Sequence, residues 1–206
     1  MGKYLVPVVV AALLLSSCGP VGTPIPQKTG TPGSATPTPR TSVFDNLQLG
    51  YRFDLQYTWP SSQKQEVLTV DNSNPWQVKT TSATYPEVTL WIWTTDRLGL
   101  LYTAEQLASY WPYPDTAQKS SSMIGGGSAF AVPAYVVLLE YNGLYKEYWV
   151  ATQDFSYLLT LHVEGITLAD LQTTTDQLTQ TNADLIDCLS QMAQHFTLCQ
   201  KAEYAK

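Results

Sequence analysis

Thirty residues near the middle of the chain, 134–163, decide most of what it can fold into. Residues 134–141 are rich in Val, Leu and Tyr. Asn142-Gly143 follows at once, and residues 144–152 repeat the same chemistry. Asn-Gly between two such runs predicts a type I′ hairpin, because both central residues must accept positive φ. Gln153-Asp154 then leads into a third run, 155–163. Together these segments predict an antiparallel meander.

More strands are expected upstream. Tyr51, Phe53, Leu55 and Tyr57 alternate with polar residues, as in a half-buried strand. Residues 67–70 and 77–81 are shorter candidates, separated by the turn-rich segment 71–75. Residues 88–93 read V-T-L-W-I-W, so this strand is expected to be central and covered on both sides. Thr103 with Gln106 predicts a capping box, Tyr102 with Leu107 a hydrophobic staple, and Pro112 the end of that helix. Residues 120–128 read as a mobile Ser-Gly stretch. Leu168, Leu171, Thr175 and Leu178 have helical spacing. A second capping box at Thr181 and Asp184 predicts a closing helix with Leu185, Leu189, Met192 and Phe196 on one face. Antiparallel strands with segregated helices give an α+β class.

The N-terminus supplies an address. Lys3 precedes an apolar run over residues 5–15, and small residues lead to Cys18. This is the layout of an export signal, and the run is shorter than the roughly 20 residues a spanning helix needs. Leu15-Ser16-Ser17-Cys18 resembles the bacterial lipobox. The resemblance implies cleavage after residue 17 and lipid on Cys18, facing the extracytoplasmic side of a cell or outer membrane. Residues 18–45 then form a Pro-, Thr- and Gly-rich tether that cannot bury a core. As a flexible coil its first 24 residues beyond Cys18 reach roughly 25–30 Å. A single domain is expected over residues 46–200, with a tail at 201–206. Removing Lys3 takes the formal charge from −6 to −7. Such an acidic domain repels phosphate backbones, so nucleic acid is not an expected partner.

The order of elements resembles the PsbP-like superfamily, which includes a photosystem extrinsic protein, a nuclear Ran-binding factor and many bacterial lipoproteins. The residues that carry the resemblance are the opening segment 49–60 (L-G-Y-R-F-D-L-Q-Y-T-W-P), the helix near Glu105, the hairpin at Asn142-Gly143, the strand 157–163 and the helix before Phe196. The resemblance implies an antiparallel sheet between helices, an α/β/α sandwich. It also implies a binding or assembly role without catalysis. The Gln/Thr-rich stretch 167–181 departs from that compact pattern.

Catalytic motifs are missing from the sequence. His162 and His195 stand apart, without metal-ligand spacing, and no metal or cofactor is expected. Glu140 and Glu147 flank the Asn-Gly turn, a placement that suits a solvated edge better than a hydrolytic pair. Cys188 and Cys199 are the cysteines other than Cys18, and an exported chain permits a disulfide between them. A continuous helix would hold them about 16 Å apart, so the bridge requires the helix to stop near His195. Trp91, Trp93, Trp111, Tyr141, Tyr145 and Trp149 are the candidate contacts for a protein partner or, alternatively, for a glycan or other small molecule.

Overall fold

Among the described residues every strand pairing is antiparallel, and the pairings build one large sheet with two smaller ones beside it. The computed structural model describes residues 42–96, 102–125, 131–174 and 177–199. Residues 1–41, with the export signal, Cys18 and nearly all of the expected tether, lie outside the described residues. In chain order the first strands are β1 (Val43–Asn46), β2 (Tyr51–Asp54), β3 (Gln56–Thr58) and β4 (Gln65–Val67). β5 (Thr69–Asn74), β6 (Gln77–Thr81) and β7 (Val88–Asp96) follow, then the helix α1 (Ala104–Ser109) and β8 (Gln118–Ile124). The chain continues through β9 (Val132–Glu140), β10 (Leu144–Ala151), β11 (Phe155–Val163), the helix α2 (Gln180–Gln191) and β12 (Phe196–Leu198). The large sheet has the order β5-β6-β7-β11-β10-β9-β8.

The expected meander is present as β9, β10 and β11. Asn142 and Gly143 both have positive φ, 49° and 119°. The loop is one residue longer than a two-residue turn: Glu140 stands opposite Leu144, and the Tyr141 N–H donates to the Gly143 carbonyl. Close packing also requires the glycine, because a Cβ at residue 143 would lie 2.6 Å from the Val163 carbonyl oxygen.

One face of the large sheet, the inner face, carries the main core. Leu90 and Ile92 of β7, Leu159 and Leu161 of β11, and Leu144 and Tyr148 of β10 are all buried there. Alternation puts these side chains on one side of the pleat. Leu185, Cys188 and Leu189 of α2 belong to the same core cluster. So do Tyr51, Phe53 and Phe196, from the small sheet β1-β2-β12. Tyr51, Phe53, Leu55 and Tyr57 are buried, as their alternation predicts, although the strand breaks at Leu55 into β2 and β3.

The α+β class and the antiparallel sheet with helices on it are both observed, but the chain is richer in β-structure than an α/β/α sandwich. The inner layer is shared between α2 and a three-stranded sheet. On the outer face α1 has only six residues. With Ala108, Leu107 and Tyr113 it covers Val137 of β9 and Trp149 of β10. β7 is central, as expected, yet it is not covered on both sides: Trp93 on its outer face is 41% exposed.

Several local expectations are corrected. Of the expected mobile stretch 120–128, residues 120–124 belong to the paired strand β8, because β9 supplies a ladder for them, and residues 126–128 lie outside the described residues. Leu168 precedes and Leu171 lies within a 3-10 turn, Asp170–Gln172, and no α-helix forms over residues 164–174. The closing helix is capped by Thr179, whose hydroxyl accepts the Asn182 N–H at 3.1 Å, two residues before the expected cap. The α1 capping box forms as expected, with the Thr103 N–H on Gln106 Oε1 at 2.8 Å and the Gln106 N–H on the Thr103 hydroxyl at 3.2 Å.

The Cys188–Cys199 bridge is not made. The α-helix does stop, at Gln191, and the chain does turn into β12. Cys188, however, faces the core from α2, is fully buried, and donates its free thiol to the Leu185 carbonyl. Cys199 follows β12, with its N–H on the Gly50 carbonyl at 2.9 Å. Burial raises the Cys188 thiol well above its usual range, so it stays protonated and unreactive.

Candidate functional site

Strand register assembles the outer face residue by residue. Trp91 on β7 stands opposite Thr160 on β11 and Lys79 on β6. Thr160 stands opposite Glu147 on β10. One step of two residues along, Trp93 stands between Leu158 and Gln77, and Leu158 faces Trp149. In the other direction Tyr145 faces His162. Opposite residues in a ladder share a face, so these residues from four strands form one surface.

Half of that surface is roofed. Trp111 packs on Trp149 with ring centroids 5.8 Å apart. The Trp149 indole N–H donates to the Tyr113 hydroxyl at 2.8 Å, and that hydroxyl donates in turn to Glu147. Burial raises the proton affinity of Glu147, and the bonds from Tyr113 and Trp149 offset only part of that effect. Burial, followed by the Glu147 contact, likewise raises Tyr113.

Over β11, β7 and β6 no described helix or strand covers the face. Trp91 and Trp93 lie side by side, 6.1 Å between centroids and 28° between planes. The Lys79 ammonium sits 4.8 Å over the Trp91 ring, a cation–π contact. Tyr145 stacks on His162 at 4.1 Å and 15°, and the His162 ring nitrogen Nε2 is 3.2 Å from the Asn142 carbonyl oxygen.

Of the six aromatic residues proposed from the sequence, Trp91, Trp93, Tyr145 and Trp149 share this face, and Trp111 joins it by packing on Trp149. Tyr141 lies in the hairpin loop, off the sheet face, and is 69% exposed. Trp149 is buried, so among the rings on this face Trp93 and Trp111 are the most accessible to a partner. Lys79 and Thr160 were not legible as members of the site, because their signal is the pairing register, which no local motif carries. Tyr113, an aromatic residue the sequence also offered near this patch, joins the site from the segment after α1 through its bonds to Trp149 and Glu147.

Glu140 and Glu147 do not form a pair. They lie on opposite faces of the sheet, with Glu140 accepting the Leu168 N–H at 2.9 Å and Glu147 beneath Tyr113. His195 sits against Phe53 and Tyr57, with Nδ1 at 3.1 Å from the Asp54 carbonyl oxygen. Among the described residues no three His, Cys, Asp or Glu side chains come together as metal ligands would. No described helix is long and apolar enough to cross a membrane.

Two further carboxylates are held on the inner side of the large sheet. Asp184 of α2 accepts the Ser61 and Ser62 N–H groups at 2.7 and 3.1 Å and the Tyr85 hydroxyl at 2.7 Å. Glu66 accepts the Trp59 indole N–H at 2.7 Å, the Ser82 hydroxyl, and the Ala83 and Thr84 N–H groups at 2.9 and 3.1 Å. Burial alone would raise both carboxyls, but these donors outweigh it and hold both below their usual values. All of these donors are the chain's own, so the role of both groups is structural.

No family model matches the chain, and no curated protein matches it. Among solved structures, the solution structure of cyanobacterial PsbP (CyanoP) from Synechocystis sp. PCC 6803 is similar to 81% of this chain and 98% of that one. The identity is 13% and the TM-score 0.39.

Proposed function

We propose that this chain is an exported lipoprotein, anchored through lipid on Cys18, whose domain works by binding a protein partner in the cell envelope rather than by catalysis. One observation carries the reading: among the described residues the outer face of the central sheet is roofed over β9 and β10 but open over β11, β7 and β6, with Trp93 exposed among Trp91, Leu158 and Lys79. Monomeric domains rarely leave such apolar surface uncovered without a use. The half-roofed, flat shape suits a protein surface. A glycan platform is less favoured, because the Lys79 ammonium already lies over the Trp91 ring.

The test compares three chains in solubilised membranes: wild type, Trp91→Ala/Trp93→Ala, and Tyr141→Ala. A protein retained by the wild type and by Tyr141→Ala, and lost from the double variant, supports the reading. Equal retention by all three removes the outer face from it. The anchor is tested separately. Cys18→Ala is expected to release the chain from the membrane fraction or leave the uncleaved precursor, and an unchanged membrane-bound mature form refutes the anchor.

A further inference from the structure

The two edges of the seven-stranded sheet are finished differently. At the β5 edge the register shifts between Asp71 and Asn74, a bulge that interrupts pairing. Asp71 and Asn74 also turn back on their own chain, accepting the Ser73 and Trp76 N–H groups at 3.0 Å each. Bulges and charged side chains are the usual means of blunting an edge. β8 has no bulge, and its one charged residue is Lys119. Seven consecutive residues pair with β9 in unbroken register, and among the described strands nothing pairs with the other side of β8. Six of those seven residues are exposed. Each antiparallel strand turns about half of its backbone N–H and C=O groups away from its partner, so this edge is a template that is open except at Met123, whose carbonyl accepts the Gln194 side-chain amide at 3.3 Å.

The β8 sequence is self-complementary when read antiparallel about Ser121. Ser121 faces its own copy, Ser120 faces Ser122, Lys119 faces Met123, and Gln118 faces Ile124. The centre is small and no like charges meet. Lys119 and Met123 lie on the outer face with Ser121, as their partners Val137, Tyr135 and Pro133 require. Beside Met123, which is 52% exposed, is a hollow of about 640 Å³ lined by Tyr102, Glu105, Pro133 and Tyr135. In the antiparallel register, Lys119 of a second copy arrives opposite Met123 at this hollow, where Glu105 offers the complementary charge. A two-fold axis makes the contact twice.

We propose that β8 is a self-pairing edge: two copies of this chain join their β8 strands antiparallel about a two-fold axis at Ser121. The dimer has one continuous sheet, with each Lys119 reaching the other copy's Glu105. Such an isologous contact is the commonest form of closed assembly. This inference is independent of the anchor and of the Trp91–Trp93 face.

Sedimentation of the full chain in detergent solution tests it, together with disulfide trapping. The wild type is expected to shift from monomer to dimer mass as concentration rises. Ser121→Asp places two like charges face to face and is expected to weaken the dimer at least about tenfold. Residue 121 is exposed, so folding is spared. Lys119→Glu is expected to weaken it too, and Lys119→Glu/Glu105→Lys to restore it. Ser121→Cys is expected to cross-link under oxidation, because directly opposed Cα atoms fall within disulfide range, while Gln118→Cys is not. The proposal is overturned if the wild type stays monomeric at all concentrations, if Ser121→Asp dimerises as the wild type does, or if Gln118→Cys cross-links as readily as Ser121→Cys. It is equally overturned if Ser121→Cys is trapped chiefly on a different protein, which would make β8 an edge for a foreign strand.

Discussion

The two faces of the central sheet use the same alternating strands for opposite ends. On the inner face Leu90, Ile92, Leu159 and Leu161 are fully buried beneath α2 and the β1-β2-β12 sheet. The carboxylates there, Asp184 and Glu66, are saturated by donors and held ionised. On the outer face a six-residue helix roofs only part of the surface, Trp93 stands exposed, and Glu147 is pushed toward its protonated form. One face is finished by the chain itself. The other is finished in part, and the unfinished part is the binding surface proposed above.

The largest contrast is expected in packing. Leu159→Ala on the inner face should cost about 2–5 kcal/mol, since a cavity is added to the lost transfer energy. Chemical denaturation measures this directly, and a loss under 1 kcal/mol would break the distinction between the faces. Asp184→Asn comes next, at about 2–4 kcal/mol, because it removes a buried charge that three donors surround.

Acid titration sharpens the same point. The folded chain binds protons at Asp184 and Glu66 less readily than the unfolded chain does. Their stabilisation is therefore complete above the unfolded carboxylate values of about 4 and is lost as pH falls through the lower folded ones. Melting curves of Asp184→Asn should accordingly fall less steeply in acid than those of the wild type.

Tyr57→Phe is expected to work the other way. The Tyr57 hydroxyl is buried without a hydrogen-bond partner among the described residues, and burying an unpaired hydroxyl costs about 1 kcal/mol or more. Removing it should raise stability by about that much, and destabilisation would reveal a partner the geometry lacks.

On the outer face Glu147→Gln should leave stability at neutral pH within about 1 kcal/mol of the wild type, or above it. The raised proton affinity means that ionised Glu147 is unfavourable at neutral pH. That penalty disappears as pH falls through its raised value, so the variant should lose this part of the pH profile. Trp93→Ala should change stability least, by about 0.5 kcal/mol, while removing partner retention. A large stability loss at this position would return Trp93 to the core.

Local chemistry made much of this legible. The Asn142-Gly143 hairpin, the strand 155–163, the strand 77–81 and the Thr103–Gln106 cap all depend on neighbours within a few residues. Residues 118–124 misled, because three serines in a row carry no strand signal and only the ladder from β9 makes them one. Leu168 and Leu171 misled in the opposite sense: their helical spacing met an Asp170–Thr167 turn instead. The Asp170 carboxylate accepts the Thr167 N–H and hydroxyl at 2.8 and 2.7 Å, closing the chain before a helix can extend. Asp184 looked like half of a capping box and is instead a buried acceptor for residues more than 90 positions away.

The sequence by itself determined the strands of the meander, the alternation that buries Tyr51 through Tyr57, and the expectation of an anchor at Cys18. Each is written in spacing along the chain. Tertiary structure alone decided that Cys188 stays a free, buried thiol and that Lys79 lies over Trp91. It also decided which half of the outer face is roofed. Those outcomes depend on register and on layers meeting across long sequence separations, where side chains compete for space and for hydrogen-bond partners that no local pattern names.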